Sequence, residues 1–116
     1  MLGSDGSAQI ILGDRIAFAR SPLARLRGLL GRVGLEPGEG LLLRPCNGVH
    51  TWGMKFSIDV VFLDAGGNVL RVERAMRPGR MVPWVRRAKQ ALELPAGATT
   101  AIGLDVGARL AIEECG

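Results

Sequence analysis

The sequence predicts a mainly β fold, either a small β-sandwich or a partly open barrel, with one α-helix near residues 22–33. Seventeen glycines and six prolines among 116 residues favour many turns. Seven or so short runs have β character, whereas one stretch alone has a helical period. A doubly wound sheet would need several helices between its strands, and the sequence pattern excludes it. The length is that of a single domain, residues 1–116.

The β-prone runs are separated by turn signals. Residues 8–12 and 15–19 flank Gly13-Asp14 and predict a hairpin. In residues 69–76 we expect Leu70 and Val72 to point inward. The segment PAGATTAIGLDVG is predicted to be a turn-rich connection between the last two strands. The other predicted strands are residues 40–43, 57–64, 69–76, 90–94 and 109–113.

Residues 57–64 form the clearest strand, and this strand contains a charged residue. Ile58, Val60 and Phe62 alternate with Asp59, Val61 and Leu63, so both faces are largely apolar and the strand should be central. A buried carboxylate needs donors or must be protonated. Candidate donors for Asp59 are the amides of the preceding loop, Thr51, Lys55 or an arginine of the helix. We expect Asp59 to pin the HTWGMKF loop onto the core; a catalytic acid or base is the alternative.

The predicted helix presents two arginines on one face. Ser21 can cap it and Pro22 fits its first turn. Its apolar residues recur at helical spacing, while Arg25 and Arg32 lie about 20° apart on another face. The apolar stripe consists of Leu23, Leu26, Leu29, Leu30 and Val33.

The segment CNGVHTWGM holds several reactive residue types, and it allows three interpretations. Cys46 and His50 could act as nucleophile and base, with Asp59 orienting the imidazole. Cys46, His50 and Asp59 are also zinc-ligand types, together with Cys115, but no C-x-x-C pair or second histidine accompanies them, so no metal or cofactor is predicted. A partly buried structural histidine is the third interpretation.

The same segment could border a small-molecule pocket. Trp52 and Met54 would supply an apolar wall, and His50, Thr51 and Lys55 would supply the few polar groups. Gly53 permits a positive φ, so we expect a sharp bend there.

The positive charge is concentrated in one region. The net charge is +4. The segment from Arg71 to Lys89 contains seven basic residues and a single acidic residue, Glu73. Such a band attracts anions. Nucleic-acid binding is one outcome, but a basic band with Trp84 as its only aromatic residue does not make a stacking platform, so this function is the weaker alternative.

No apolar run approaches the roughly 18 residues of a membrane span. The first residues lack the basic, apolar and small-residue order of a signal peptide, so the expected location is the cytoplasm; export would require a signal segment that has been removed. Two cysteines, Cys46 and Cys115, do not make a disulfide framework, and whether they pair stays open.

Three ordered blocks resemble the prokaryotic family called "domain of unknown function 192": RLRGLLGR, GVHTWGMKFSIDVVFLDAGGNVLRV and ALELPAGATTAIGLDVGARL. The resemblance implies a small mainly β domain of sandwich type with one helix and no established activity. Many relatives carry an export signal. Many also have the sequence W-M-K-N-T, in which the aromatic residue directly precedes methionine. Here Gly53 lies between Trp52 and Met54, so the chain resembles the H-T-x-G-M branch of the family. The matching positions are Arg25, Gly28, Leu29, Arg32, Trp52, Met54, Ile58, Asp59, Phe62, Glu93, Leu94, Pro95, Ala96 and Gly97.

The resemblance adds the idea that Arg25 and Arg32 converge on Asp59. We therefore predict a binding module for a small polar or anionic ligand, or for a protein partner, with its pocket between the helix and the His50–Met54 loop. The alternatives are an enzyme of unknown type using His50 and Asp59 with Cys46, and nucleic-acid binding through the basic band. The predicted ligand-binding residues are Arg25, Arg32, His50, Thr51, Trp52, Met54 and Asp59.

Overall fold

The computed structural model describes residues 2–4, 9–11, 15–19 and 32–111. Ten strands and one short helix lie within these ranges. In chain order they are β1 (Leu2–Ser4), β2 (Gln9–Ile11), β3 (Arg15–Ala19), β4 (Glu39–Leu43), β5 (Val49–His50), β6 (Ile58–Leu63), β7 (Val69–Met76), β8 (Met81–Val82), β9 (Gln90–Pro95), α1 (Ala98–Ala101) and β10 (Leu110–Ala111).

The strands form three sheets. The largest has five strands in the order β3-β4-β9-β6-β7, in which β3 and β4 are parallel and the other neighbours are antiparallel. Strands β10, β1 and β2 form an antiparallel sheet in that order, and β5 pairs with β8 in a two-stranded ribbon. In the described ranges β3 and β7 are the edges of the large sheet, which is not closed. The predicted mainly β class is confirmed.

The inner strands of the large sheet, β4, β9 and β6, are buried on both faces. All six residues of β6 are buried, and alternate residues enter two different hydrophobic clusters. The ribbon-side cluster packs under the β5–β8 ribbon, and the helix-side cluster packs under α1. The ribbon-side cluster is Leu41, Leu43, Val49, Met54, Ile58, Val60, Phe62, Met76, Val82, Val85, Ala88 and Ala91. The helix-side cluster is Leu42, Val61, Leu63, Val69, Leu92, Leu94, Leu104 and Leu110.

The strands with the strongest local pattern lie where the sequence predicts them. The predicted strand at residues 57–64 is β6, and the DAGGN turn joins it to β7 as an antiparallel partner. Asp64 closes that turn, because its carboxylate accepts hydrogen bonds from the backbone amides of Gly66 and Asn68, both at 2.9 Å. The strands predicted at 40–43 and 90–94 correspond to β4 and β9.

Two predictions are wrong, one about strand pairing and one about side-chain direction. Residues 8–12 and 15–19 do not form a hairpin, because β2 pairs with β1 and β3 pairs with β4 in a different sheet. A bulge in the β6–β7 pairing near Phe62 sends Leu70 to the ribbon-side cluster and Val72 to the helix-side cluster, so these two residues do not share an inward face.

The predicted helix near residues 22–33 lies outside the described residues except for its last two positions. The helix that the structure does describe, α1, is a single turn within the segment predicted to be a turn-rich connection. In the described ranges, no helix has the length and apolar character needed to cross a membrane.

Candidate ligand-binding site

Asp59 lies on β6 with a fully buried side chain that makes four hydrogen bonds. Its Oδ1 atom accepts from the backbone amides of Ala75, at 2.8 Å, and Gly97, at 3.1 Å. Its Oδ2 atom accepts from the amide of Thr99, at 2.9 Å, and from the Thr99 hydroxyl, at 2.5 Å. The carboxylate therefore ties the end of β7 and the start of α1 to the centre of the large sheet.

These donors keep Asp59 ionised. Burial alone would raise the pKa, but the Thr99 hydroxyl and the three amides together lower the pKa of Asp59 below 3.8. The expectation that Asp59 pins the HTWGMKF loop is wrong. Its side chain lies on the helix side of β6, whereas Met54 of that loop packs in the ribbon-side cluster on the other face.

Asp59 also shapes the end of β7. Ile58 pairs with Met76 but Val60 pairs with Glu73, so β7 has one extra residue opposite Asp59, and Ala75 has a φ of 49°. A positive φ is uncommon for a residue other than glycine, and the hydrogen bond from the Ala75 amide to Asp59 stabilises it. The bulge changes the direction of β7 just before the turn RPGR, residues 77–80.

Arg32 does not neutralise Asp59, because its guanidinium group pairs with a different carboxylate. The Arg32 Nη2 atom lies 3.1 and 3.2 Å from the two carboxylate oxygens of Glu39, at the start of β4. The Arg32 side chain is 46% exposed in this ion pair. Asp59 has its donors already and needs no arginine. Arg25 lies outside the described residues.

Thr51 joins the H-T-x-G-M segment to the RPGR turn. Its buried hydroxyl donates to the Arg77 carbonyl at 2.6 Å and accepts from the Arg80 amide at 2.9 Å. Its own amide donates to the Arg80 carbonyl at 2.9 Å, and its carbonyl accepts from the Gly79 amide at 3.0 Å. This Thr51 network fixes the backbone that carries two arginines.

His50 and Trp52 lie on the surface of the ribbon. His50 is the register partner of Met81, and its ring centroid lies 5.0 Å from that of Trp52. Trp52 and Met81 are 53% and 52% exposed. Met54 is buried in the ribbon-side cluster. Gly53, between Trp52 and Met54, has a φ of 80°, so the predicted bend is confirmed.

A cavity of about 330 Å³ lies between the end of β7 and β8. Arg71 and Glu73 both line the cavity and form an ion pair with each other. Arg77 and Arg80 have no acidic partner among the described residues, which leaves two positive charges in excess. The lining residues are Arg71, Glu73, Ala75, Met76, Arg77, Arg80, Met81 and Val82.

In the alternative enzyme mechanism Asp59 would orient His50, but among the described residues the partners of Asp59 are Ala75, Gly97 and Thr99. The Cys46 thiol donates to the Gly48 carbonyl at 3.0 Å and packs on the ribbon side of the sheet. Asp59 lies on the opposite face, and His50 contacts Trp52. Cys115 lies outside the described residues. Within the described ranges, no group of three histidine, cysteine or acidic side chains is arranged to hold a metal ion.

Glu93 is a buried ionisable residue for which the sequence predicted no functional role. It lies on β9, the middle strand, between Leu41 and Val60 in the register, and is 4% exposed. The described residues supply no hydrogen bond or ion pair to its carboxylate. Burial raises the pKa of Glu93 to about 7. The sequence does contain a sign of this residue, because the carboxylate of Glu93 is the single charge in the otherwise apolar segment ALELP.

The fold and the cavity define a class: a small mainly β domain with an arginine-lined cavity at the edge of its largest sheet. The chain belongs to the family DUF192, described as "Uncharacterized ACR", whose model matches residues 4–112. The resemblance predicted from the three sequence blocks is thereby confirmed.

Two solved structures share the fold. A protein of unknown function from Novosphingobium aromaticivorans is 18% identical, with a TM-score of 0.80, over 93% of this chain and 80% of that one. A candidate transcription regulator from Sinorhizobium meliloti is 21% identical, with a TM-score of 0.80, over 93% of this chain and 87% of that one. No curated protein matches the chain. At these identities the likeness concerns the fold.

Proposed function

We propose that this domain binds a small anionic ligand in the cavity between β7 and β8. The observation that carries the proposal is that Arg77 and Arg80 line a cavity of about 330 Å³ without an acidic partner in the described residues. A guanidinium group donates paired hydrogen bonds to carboxylate or phosphate oxygens. Met76, Met81 and Val82 supply apolar surface, and the volume lies in the usual range for small-ligand sites, roughly 300–1,000 Å³.

The backbone around the two arginines is held in place before any ligand arrives. The four hydrogen bonds of the Thr51 network fix the RPGR turn, and Asp59 fixes the bulge that precedes it. Because this backbone is already fixed, less conformational entropy is lost when a ligand binds. In this proposal Thr51 and Asp59 are positioning residues, and Arg77 and Arg80 contact the anion.

The test is isothermal titration calorimetry with citrate and with inorganic phosphate at low ionic strength. We expect Arg80→Ala to weaken the binding of the better anion at least tenfold, since a hydrogen bond to a charged group contributes roughly 1.5–3 kcal/mol. Arg86→Ala is the matched control, because Arg86 is exposed in the same basic band but does not line the cavity.

Two results would refute the proposal. One is that neither anion binds the folded protein at millimolar concentration. The other is that Arg80→Ala and Arg86→Ala weaken binding equally, since that would mean that the net charge of the band, rather than the cavity, attracts the anion.

The enzyme and nucleic-acid alternatives receive less support. An enzyme using His50 would need a base or orienting group beside it, and Asp59 lies on the other face of the sheet in its own hydrogen-bond set. Nucleic-acid binding would rest on Arg86, Arg87 and Lys89, which are exposed, with Trp84 as the nearby aromatic residue.

A further inference from the structure

An exposed patch of His50, Trp52 and Met81, here called the ribbon patch, lies beside the cavity. His50 and Met81 are opposite each other in the β5–β8 register, and the Trp52 ring contacts the His50 ring. Met81 also lines the cavity, so the ribbon patch and the cavity form one continuous surface. About half of the Trp52 and Met81 side chains is open to solvent.

This composition is that of a protein-binding surface. Tryptophan, methionine and arginine are enriched where proteins contact each other, and tryptophan and arginine contribute most to the affinity. An exposed tryptophan next to a second exposed apolar side chain loses unfavourable water contact when a partner covers it. The Thr51 network links the backbone of the patch to that of Arg77 and Arg80, so the two parts keep a fixed spacing.

We infer that the cavity and the ribbon patch together dock an acidic peptide segment of a protein partner. One carboxylate of the segment enters the cavity against Arg77 and Arg80, and an adjacent apolar side chain covers Trp52 and Met81. Charge complementarity supports an acidic occupant, because the region from Arg71 to Lys89 has seven basic residues and its single acid, Glu73, is paired with Arg71. This inference rests on the proposed function and names its ligand class.

The shape of the surface favours a peptide over a lipid bilayer. The unpaired arginines line a concavity, which a single protruding carboxylate can enter. A bilayer is flat on this scale and would contact the protruding residues around the cavity.

The experiment uses three fluorescein-labelled octapeptides, in which Glu alternates with Leu, Gln with Leu, or Glu with Ser. Fluorescence anisotropy at low ionic strength measures their affinities for the whole chain. We expect the Glu-Leu peptide to bind at least tenfold more tightly than the other two, because it alone has both the carboxylates and the apolar side chains.

Single substitutions separate the contribution of the ribbon patch from that of the cavity. Trp52→Ala and His50→Ala should weaken the Glu-Leu peptide at least fivefold and leave citrate binding unchanged, whereas Arg80→Ala should weaken both ligands. His50 and Trp52 are exposed, and each variant must keep the cooperative urea unfolding of the original protein. Since the chain has two tryptophans and no tyrosine, Trp84→Phe leaves Trp52 as the only strong emitter to report contact.

Each failure points to a different error. If citrate binds in an Arg80-dependent manner but the three peptides bind equally or not at all, peptide docking is refuted and the proposed function stands. If neither citrate nor any peptide binds, both are refuted. If the Trp52 emission responds to phosphatidylglycerol vesicles but not to the Glu-Leu peptide, the surface contacts lipid and the inference is wrong.

Discussion

Replacing Glu93 by glutamine should stabilise the protein at pH 8 and change its stability little at pH 5. Glu93 is 4% exposed on the middle strand, between the apolar side chains of Leu41 and Val60. Glutamine has nearly the same shape and carries no charge, so the substitution removes the cost of keeping a carboxylate out of water. No hydrogen bond or ion pair from the described residues would be lost.

The size of the effect follows from the pKa of Glu93, which burial raises from 4.5 to about 7. The folded protein then holds the proton more tightly than the unfolded chain. The stability that this provides is fully present below pH 4.5 and is lost as the pH rises to about 7. Because one pKa unit corresponds to 1.36 kcal/mol, the loss is about 3 kcal/mol. Glu93→Gln should avoid that loss.

Urea unfolding followed by tryptophan fluorescence at pH 5, 6, 7 and 8 measures this difference. We expect the variant to match the original protein within about 1 kcal/mol at pH 5 and to exceed it by about 3 kcal/mol at pH 8, with unchanged m-values. Glu73→Gln is the control, because it removes the same charge from a side chain that is 30% exposed. That exposed ion pair should contribute less than about 1 kcal/mol at any pH.

Two results would contradict a raised pKa of Glu93. One is that Glu93→Gln is no more stable than the original protein at pH 8. The other is that the difference in stability between the two proteins does not grow from pH 5 to pH 8. Either result would mean that a positive charge or a donor reaches the Glu93 carboxylate in solution.

Three other substitutions test contacts described above, each by urea unfolding. Asp59→Asn should cost roughly 2–4 kcal/mol at pH 7, because an amide nitrogen cannot accept the donors that the carboxylate binds; a neutral outcome would contradict the assignment of those bonds. In the original protein the lowered pKa of Asp59 provides stability above pH 3.8 that is lost as the pH falls through its folded-state pKa. Thr51→Val should cost roughly 1–3 kcal/mol by leaving the Arg80 amide and the Arg77 carbonyl without their side-chain partner, and it should weaken citrate binding; full anion affinity would separate the Thr51 network from the cavity. Gly67→Ala should cost about 3 kcal/mol or more, because a Cβ atom there would lie 2.1 Å from the Leu110 carbonyl oxygen at a φ of 89°; a stable variant would mean that β10 is not held against this turn.

Local patterns gave the parts of the fold that local physics determines. In β6 every residue is apolar except Asp59, and both faces are buried as that pattern predicts. The DAGGN turn brings β7 back beside β6 because Asp64 and Asn68 supply the turn hydrogen bonds within five residues. The pairing of β2 and β3 could not be read in this way, since their partner strands lie elsewhere in the sequence.

The candidate site depends on contacts between distant segments. The donors to Asp59 are 16, 38 and 40 residues away, and nothing in the residues near Asp59 identifies them. The basic band was visible in the sequence, but its concave part requires the bulge in β7 and the hydrogen bonds of Thr51. Glu93 could have been identified from the sequence, because in ALELP, as around Asp59, a single charged residue lies within an apolar strand.

The position of Asp59 has a consequence for how the protein opens. One buried charge is shared by the amides of Ala75, Gly97 and Thr99, which belong to separate parts of the chain. If any one of these segments detached alone, the carboxylate would lose a donor while still out of water. Partial opening is therefore unfavourable, and the three amide hydrogens should exchange with solvent at one common slow rate set by global unfolding.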